Sequence, residues 1–214
     1  MRLLSLCAIG LAVGCDRAPA ARAADQAVVQ RPAARDTSRP VFEIDLWPGE
    51  GRPVVEAVAT RLSLRALPYS TAAVVHDLVV APGQRLSFDS TRFQTLEPGK
   101  LRVLTPTRVQ GRMLGAITHL TSDAYYAGGR PRADVEVDAA RPLEYLQYRA
   151  EGTCFVRVAG QVVDASPCPV EEQGTFTLER EPETRWWIRL VGADGRAGWL
   201  LVSDSVARVV DRTF

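Results

Sequence analysis

Residues 186–202 have the sequence Trp-Trp-Ile-Arg-Leu-Val-Gly-Ala-Asp-Gly-Arg-Ala-Gly-Trp-Leu-Leu-Val, and this stretch decides the fold class. Two apolar segments flank Asp194-Gly195, and an Asp-Gly pair readily takes the positive φ angles of a tight hairpin turn. In the first segment the even-numbered positions are all apolar, whereas the odd-numbered positions include Arg189. Alternation with period two is typical of a β-strand, so the stretch predicts a β-hairpin.

Similar strand-like segments, separated by proline and glycine turns, extend over the chain from residue 42 onward. They cover residues 42–46, 54–60, 62–65, 73–80, 85–89, 100–109, 133–137, 143–149, 153–158, 161–165, 175–179, 185–191, 197–202 and 206–210. No long amphipathic helix pattern interrupts them. The sequence therefore predicts an all-β protein.

The hairpin resembles the closing strands of bacterial Src-homology-3-like domains, in which a tryptophan strand precedes a glycine turn and a Gly-Trp-aliphatic sequence. The matching positions are Trp187, Gly195, Gly198, Trp199 and Leu200. The segment 62–68, Leu-Ser-Leu-Arg-Ala-Leu-Pro, is similar to the opening segment of the same family. These two matches lie too far apart for one small barrel. The resemblance therefore implies two tandem β-barrels, at 41–115 and 130–214, and an unrelated all-β sandwich is the alternative.

The start of the chain has the pattern of a secretion signal. Residues 1–14 combine Arg2, an apolar segment from Leu3 to Val13 and small residues before Cys15, and this segment is too short to span a bilayer core of ~30 Å. The pattern resembles the leader of bacterial lipoproteins, which implies cleavage before Cys15, lipidation of that residue and anchoring in the cell envelope, outside the cytoplasm. Cleavage after Ala23 is the alternative, and it would release an unanchored protein.

Residues 15–40 are rich in Ala, Arg, Pro, Gln, Asp and Ser and hold few adjacent apolar residues. Such a segment cannot bury enough apolar surface to offset the entropy lost on ordering. It is predicted to be a disordered tether between the anchor and the folded part.

The charge balance excludes one class of partner. The chain has 26 basic and 25 acidic residues, and removal of Arg2 with the leader makes these numbers equal. A nucleic-acid-binding protein would gather its arginines within a net positive charge, so we expect no nucleic-acid partner. The balance also gives the folded part no polybasic attraction to lipid, which leaves the lipid anchor as the expected membrane contact.

The two later cysteines are predicted to form a disulfide. Cys154 and Cys168 lie 14 positions apart, and thiols outside the cytoplasm usually oxidise. Neither His76 nor His119 stands at ligand spacing from these thiols, so we expect no metal site and no cofactor.

No catalytic motif is recognisable, and no catalytic residue is predicted. Glu179, Glu181 and Glu183 could supply the paired carboxylates of a sugar hydrolase, but beside a predicted hairpin they are more typical of a solvated edge. A small envelope hydrolase therefore ranks last among the functions considered.

Binding is the function that the sequence favours. Aromatic-lined grooves on small barrels recognise extended peptides, and arginines beside them suit a carboxylate. The candidate ligand-binding residues are Trp186, Trp187, Arg189, Arg196, Trp199, Tyr145 and Tyr148. The family resemblance implies cell-wall peptide or another envelope protein as the partner. A structural spacer or assembly subunit, whose aromatic residues are mostly core, is the alternative.

Overall fold

Strands account for most of the residues that the computed structural model describes, which are 39–47, 51–141, 143–172 and 174–211. The predicted leader, the lipidation site Cys15, the alternative cleavage after Ala23 and nearly all of the 15–40 tether lie outside these residues.

Seventeen strands and two short helical segments occur in the described part of the chain. The strands are β1 (Phe42–Ile44), β2 (Val54–Ala57), β3 (Arg61–Arg65), β4 (Val74–Val79), β5 (Arg85–Leu86), β6 (Phe88–Glu97), β7 (Gly99–Val103), β8 (Thr107–Gly115), β9 (His119–Leu120), β10 (Arg132–Val137), β11 (Leu143–Ala150), β12 (Thr153–Val158), β13 (Gln161–Ala165), β14 (Phe176–Arg180), β15 (Glu183–Val191), β16 (Ala197–Val202) and β17 (Ala207–Asp211). The helical segments are α1 (Ser122–Tyr126) and a 3₁₀ turn at Pro169–Glu171. Over the described ranges, no helix has the length and apolar character needed to cross a membrane.

The strands form three sheets. The first sheet has the order β4-β3-β16-β15-β6-β1-β9, the second has the order β10-β8-β13-β12-β11-β7-β14, and the third consists of β17-β2-β5. The predicted all-β class is confirmed. No closed barrel is found among these strands.

The predicted hairpin is present as β15 and β16. Trp186 lies opposite Val202 and Val191 lies opposite Ala197, so the register spans the whole quoted stretch. Gly195 has a φ of 78°, which explains the glycine in the turn. A Cβ at Gly198 would lie 2.7 Å from Leu64 Cβ, so glycine allows β16 to approach β3 closely.

The strand pairing does not follow the predicted division into 41–115 and 130–214. In the first sheet, β15 pairs with β6 along most of its length, and β16 pairs with β3. In the second sheet, β8 pairs with β10 and β13, and β7 pairs with β11 and β14. Each large sheet therefore combines strands from both halves, because hydrogen bonds between strands do not depend on nearness in sequence.

Three clusters of buried apolar side chains form the core. One is drawn from the second sheet and the Cys168 loop, and another joins the first and third sheets. The last lies between the first and second sheets and includes Phe42, Leu146 and Phe155. Both faces of the second sheet are thus buried, which explains why β12 and β13 are almost continuously apolar.

The predicted disulfide is confirmed. Cys154 in β12 and Cys168, just before the 3₁₀ turn, are joined by an S–S bond of 2.06 Å. Both residues are fully buried in the second-sheet cluster. The bond therefore ties the loop after β13 to the core.

Candidate functional site

A groove of about 480 Å³ opens where residues of all three sheets meet. We call it the three-sheet groove. An aromatic wall includes Trp47, Phe93 and Trp186, and a second wall includes Tyr145, Gln147 and Tyr148 from β11. The lining also includes Glu181, Asp204 and Arg208. The volume lies within the range of small-molecule binding sites.

The first wall is a cluster of three aromatic rings. Phe93 of β6 and Trp186 of β15 are directly paired across the strands, and their rings stack with centroids 5.5 Å apart. Trp47 packs on both, with centroid distances of 4.5 Å to Trp186 and 5.5 Å to Phe93. The Trp186 indole N–H donates to Thr91 Oγ1, which satisfies its polar edge. This wall therefore presents a firmly positioned aromatic surface.

The β11 wall depends on irregular pairing in that strand. Regular alternation would turn Tyr145 and Gln147 to one face and Tyr148 to the other, yet all three line the groove. The register between β11 and β12 shifts between Tyr145 and Gln147 and again between Tyr148 and Ala150. Such bulges re-aim side chains. Tyr145 is buried, whereas Tyr148 is 39% exposed.

Gln147 is the unusual polar group of this wall. It is only 4% exposed, and neither its Oε1 nor its Nε2 has a hydrogen-bond partner among the described residues. A buried polar group without a partner costs about 1–3 kcal/mol. The groove lining therefore includes a residue whose buried amide has hydrogen-bonding capacity that the described protein does not use.

The groove lining also contains charged side chains. Glu181 and Asp204 are exposed, and over the described ranges neither forms an ion pair within 4 Å. Arg208 lies 3.7 Å from Glu56 through its Nη2, so it already faces a carboxylate. The uncompensated charge of the groove is consequently negative.

Two buried tyrosines hold their protons unusually tightly. Burial, followed by the negative charge of Glu181, raises the pKa of Tyr145 to about 12. Burial, followed by the charge of Asp164, raises the pKa of Tyr125 to about 12, and the Tyr125 hydroxyl donates to Asp164 Oδ2. Both side chains are therefore neutral at physiological pH.

We expect the free energy of unfolding to fall as pH rises from 10 to about 12. The unfolded chain releases these tyrosine protons near the ordinary tyrosine pKa of 10.0, whereas the folded chain keeps them to about 12. The folded state then binds more protons than the unfolded state, so stability declines with pH. Urea unfolding across this range measures the decline, and Tyr145→Phe should reduce its slope. An unchanged slope in that variant would contradict the assignment.

The structure brings together three of the residues predicted to bind ligand, namely Trp186, Tyr145 and Tyr148. Trp187 points the other way, is 1% exposed and donates from Nε1 to Gln94 Oε1, so it is a core residue. Trp199 lines a different cavity, where the Arg92 guanidinium carbon lies 5.8 Å from its ring centroid.

The two predicted arginines are engaged elsewhere. Arg189 forms an ion pair with Asp89, and Arg196 donates from Nε to Asp194 Oδ2 at 2.7 Å. Backbone and side-chain hydrogen bonds from Arg196 lower the pKa of Asp194. Neither arginine lines the three-sheet groove.

The glutamates Glu179, Glu181 and Glu183 do not share one site. Glu179 binds Lys100 at 2.7 Å and Arg102 at 3.1 Å, while Glu183 lies 3.9 Å from Arg185. Of the three glutamates, Glu181 lines the groove.

Sequence reasoning missed Trp47, Phe93 and Gln147. Trp47 precedes Pro48-Gly49, which indicated only a turn, and Phe93 lies in a segment that was not predicted as a strand. Gln147 was included in a predicted strand, but nothing in the sequence marks it as buried. The signal in the sequence is its position between Tyr145 and Tyr148, two candidate ligand-binding residues.

Comparison with known proteins adds no relative: no protein-family model matches the sequence, and neither the curated proteins nor the solved structures give a match.

Proposed function

We propose that this chain is a non-enzymatic binding lipoprotein of the bacterial cell envelope, anchored through Cys15, whose three-sheet groove binds cell-wall peptide. The observation that carries the proposal is that one groove is lined both by an aromatic wall and by Gln147, whose buried amide has no partner among the described residues. A few placed polar groups within a mainly apolar cleft are typical of ligand sites.

The dimensions of the groove support a short ligand. A stable interface with a folded protein needs about 800 Å² on each partner, usually on a flat surface. A cleft of about 480 Å³ suits a few residues of extended peptide instead. The rings of Trp47 and Tyr148 would contact its side chains.

The sequence before the fold supports contact with the wall. A tether of about 25 residues spans roughly 30 Å as a flexible coil and approaches ~80 Å if proline extends it. A lipid-anchored groove could then reach wall material that stands clear of the membrane surface.

Co-sedimentation with purified peptidoglycan sacculi tests this function. We expect the purified full-length protein, in detergent, to pellet with sacculi in a saturable manner. Tyr148→Ala removes an exposed groove aromatic and should weaken binding about tenfold. Tyr126→Ala is the matched control, because Tyr126 is 71% exposed and does not line the groove.

The two variants distinguish a site in the groove from general adhesion to the wall. Equal loss in both variants would show general adhesion of exposed aromatics rather than a site in the groove. No pelleting of the wild-type protein at micromolar concentration would overturn the cell-wall proposal.

A structural spacer or assembly subunit is the second candidate, and strand β4 favours it. This strand ends the first sheet, and its Val74, Val75 and Val79 are exposed. An apolar edge strand can pair with a strand of another protein. Cross-linking in the native envelope would yield one stable partner under this alternative, and charged substitutions at Val79 would abolish the cross-link.

A further inference from the structure

We propose that the ligand of the three-sheet groove is a short peptide with a free amino group, whose backbone amide pairs with Gln147 while its ammonium lies against Glu181 and Asp204. This inference rests on the proposed binding function and specifies the ligand of that same groove.

The Gln147 side chain is chemically complementary to a peptide unit. A glutamine side chain offers an N–H donor and a C=O acceptor, and a peptide unit offers the same two groups. The two amides can therefore form a reciprocal pair of hydrogen bonds. Since the Gln147 amide has no partner in the described protein, each bond satisfies a group that is otherwise buried and unused.

Access to the Gln147 amide depends on a change of side-chain rotamer. Its two amide atoms are shielded from solvent, and rotation about the soft terminal torsion only turns the amide plane in place. A change at χ1 or χ2 would bring the amide toward a ligand seated beside Tyr145 and Tyr148. A site that pairs with an amide then discriminates strongly against analogues that lack one.

The lining of the groove carries unpaired negative charge. Glu181 and Asp204 are exposed carboxylates without an ion-pair partner among the described residues, and Arg208 already faces Glu56. The negative charge of Glu181 acts on Tyr145 in the groove lining, because it contributes to the raised pKa of that residue. An ammonium group is the complementary ligand feature.

The amide of Gln147 and the carboxylates of Glu181 and Asp204 also distinguish the peptide of the cell wall from its glycan. The N-acetyl sugars of the glycan also carry an amide, but they have no ammonium group to meet Glu181 and Asp204. A wall peptide that contains a diamino acid carries both an amide and an ammonium group. The groove therefore favours the peptide over the glycan.

Calorimetric titration with two probe tripeptides tests the proposal on the full-length protein. The probes are N-acetyl-Ala-Glu-Lys and N-acetyl-Ala-Glu-norleucine. Acetylation removes the α-ammonium from both peptides, so they differ only by the charged side-chain amine. We expect the lysine peptide to bind wild-type protein at least tenfold more tightly. The double variant Glu181→Gln/Asp204→Asn should lose this preference. Asp123→Asn is the control, because Asp123 lies on α1 and does not line the groove.

Gln147→Met tests the amide, because it keeps the side-chain length and removes both hydrogen-bonding groups. We expect both peptides to bind at least tenfold more weakly, while Tm without ligand rises because an unpartnered polar group has been removed. A purely structural glutamine predicts a lower Tm and unchanged binding.

Three results would overturn the inference: equal binding of the two probes, wild-type affinity in Gln147→Met, or binding of N-acetylglucosamine oligomers in preference to the peptides. The comparison of probes on wild-type protein remains decisive even if a variant fails to fold. Pelleting with sacculi without peptide binding would overturn this inference alone. Failure of both the co-sedimentation and the calorimetric titration would also overturn the proposed function.

Discussion

Trp187→Ala is expected to lower the free energy of unfolding by about 3–5 kcal/mol, which is the usual cost of removing a large buried aromatic side chain. Trp187 is 1% exposed and lies in β15, between β16 and β6. Its loss would leave a cavity in the first sheet. It would also remove the donor to Gln94 Oε1, whose amide nitrogen is already bound to Glu43 and Pro68.

Urea unfolding of the variant beside wild-type protein measures this loss. Trp187→Phe keeps a smaller aromatic ring and removes the N–H. Its loss combines the missing hydrogen bond with a smaller cavity and should therefore be less than that of the alanine variant. Trp199→Ala is the second control, because Trp199 is only half-buried and should cost less. A loss below about 1 kcal/mol for Trp187→Ala would show that the first sheet does not depend on this residue.

Removal of the disulfide is expected to cost about 3 kcal/mol, the chain-entropy value for a loop of this length. Cys154 and Cys168 close a loop of 14 positions around β13. The variant Cys154→Ala/Cys168→Ala should therefore show a lower urea midpoint than wild-type protein. Both side chains are fully buried, so alanine is preferable to serine, which would add unpartnered hydroxyls.

The reduced wild-type protein provides the matched measurement. Dithiothreitol should lower the wild-type midpoint toward that of the double variant and leave the double variant unchanged. A variant as stable as the oxidised protein would show that the second-sheet core fixes this loop without the bond.

Local features of the fold were predictable because they depend on neighbouring residues. Alternation and the Asp-Gly turn predicted the hairpin of β15 and β16, and the predicted bounds of β12, β13 and β16 agree with the structure. The spacing of Cys154 and Cys168 predicted their bond. Each inference needed fewer than twenty consecutive residues.

Strand β6 shows why the sheet order could not be predicted. Its middle contains Ser90, Thr91, Arg92 and Gln94, which made the segment resemble a loop. The side chains of Thr91, Gln94 and Arg92 have distant partners in Trp186, Trp187 and Asp45, respectively. A polar strand of this kind is stable only once such partners are in place, and local patterns do not contain them.

The candidate site was predictable only in part for the same reason. Tyr145, Tyr148 and Trp186 stood out as aromatic residues, but period-two reasoning could not separate Trp186 in the groove from Trp187 in the core without the sheet order. The β11 bulges that bring Tyr148 into the lining with Tyr145 and Gln147 depend on pairing with β12. Neither feature has a signature within a single strand.

The position of β15 and β16 between β3 and β6 also determines when the molecule can fold. A chain that emerges from its N-terminus presents β3 and β6 long before Glu183–Val202 arrive to join them. Pairings between residues this far apart are slow to form. The first sheet can close only after nearly the whole chain has been made.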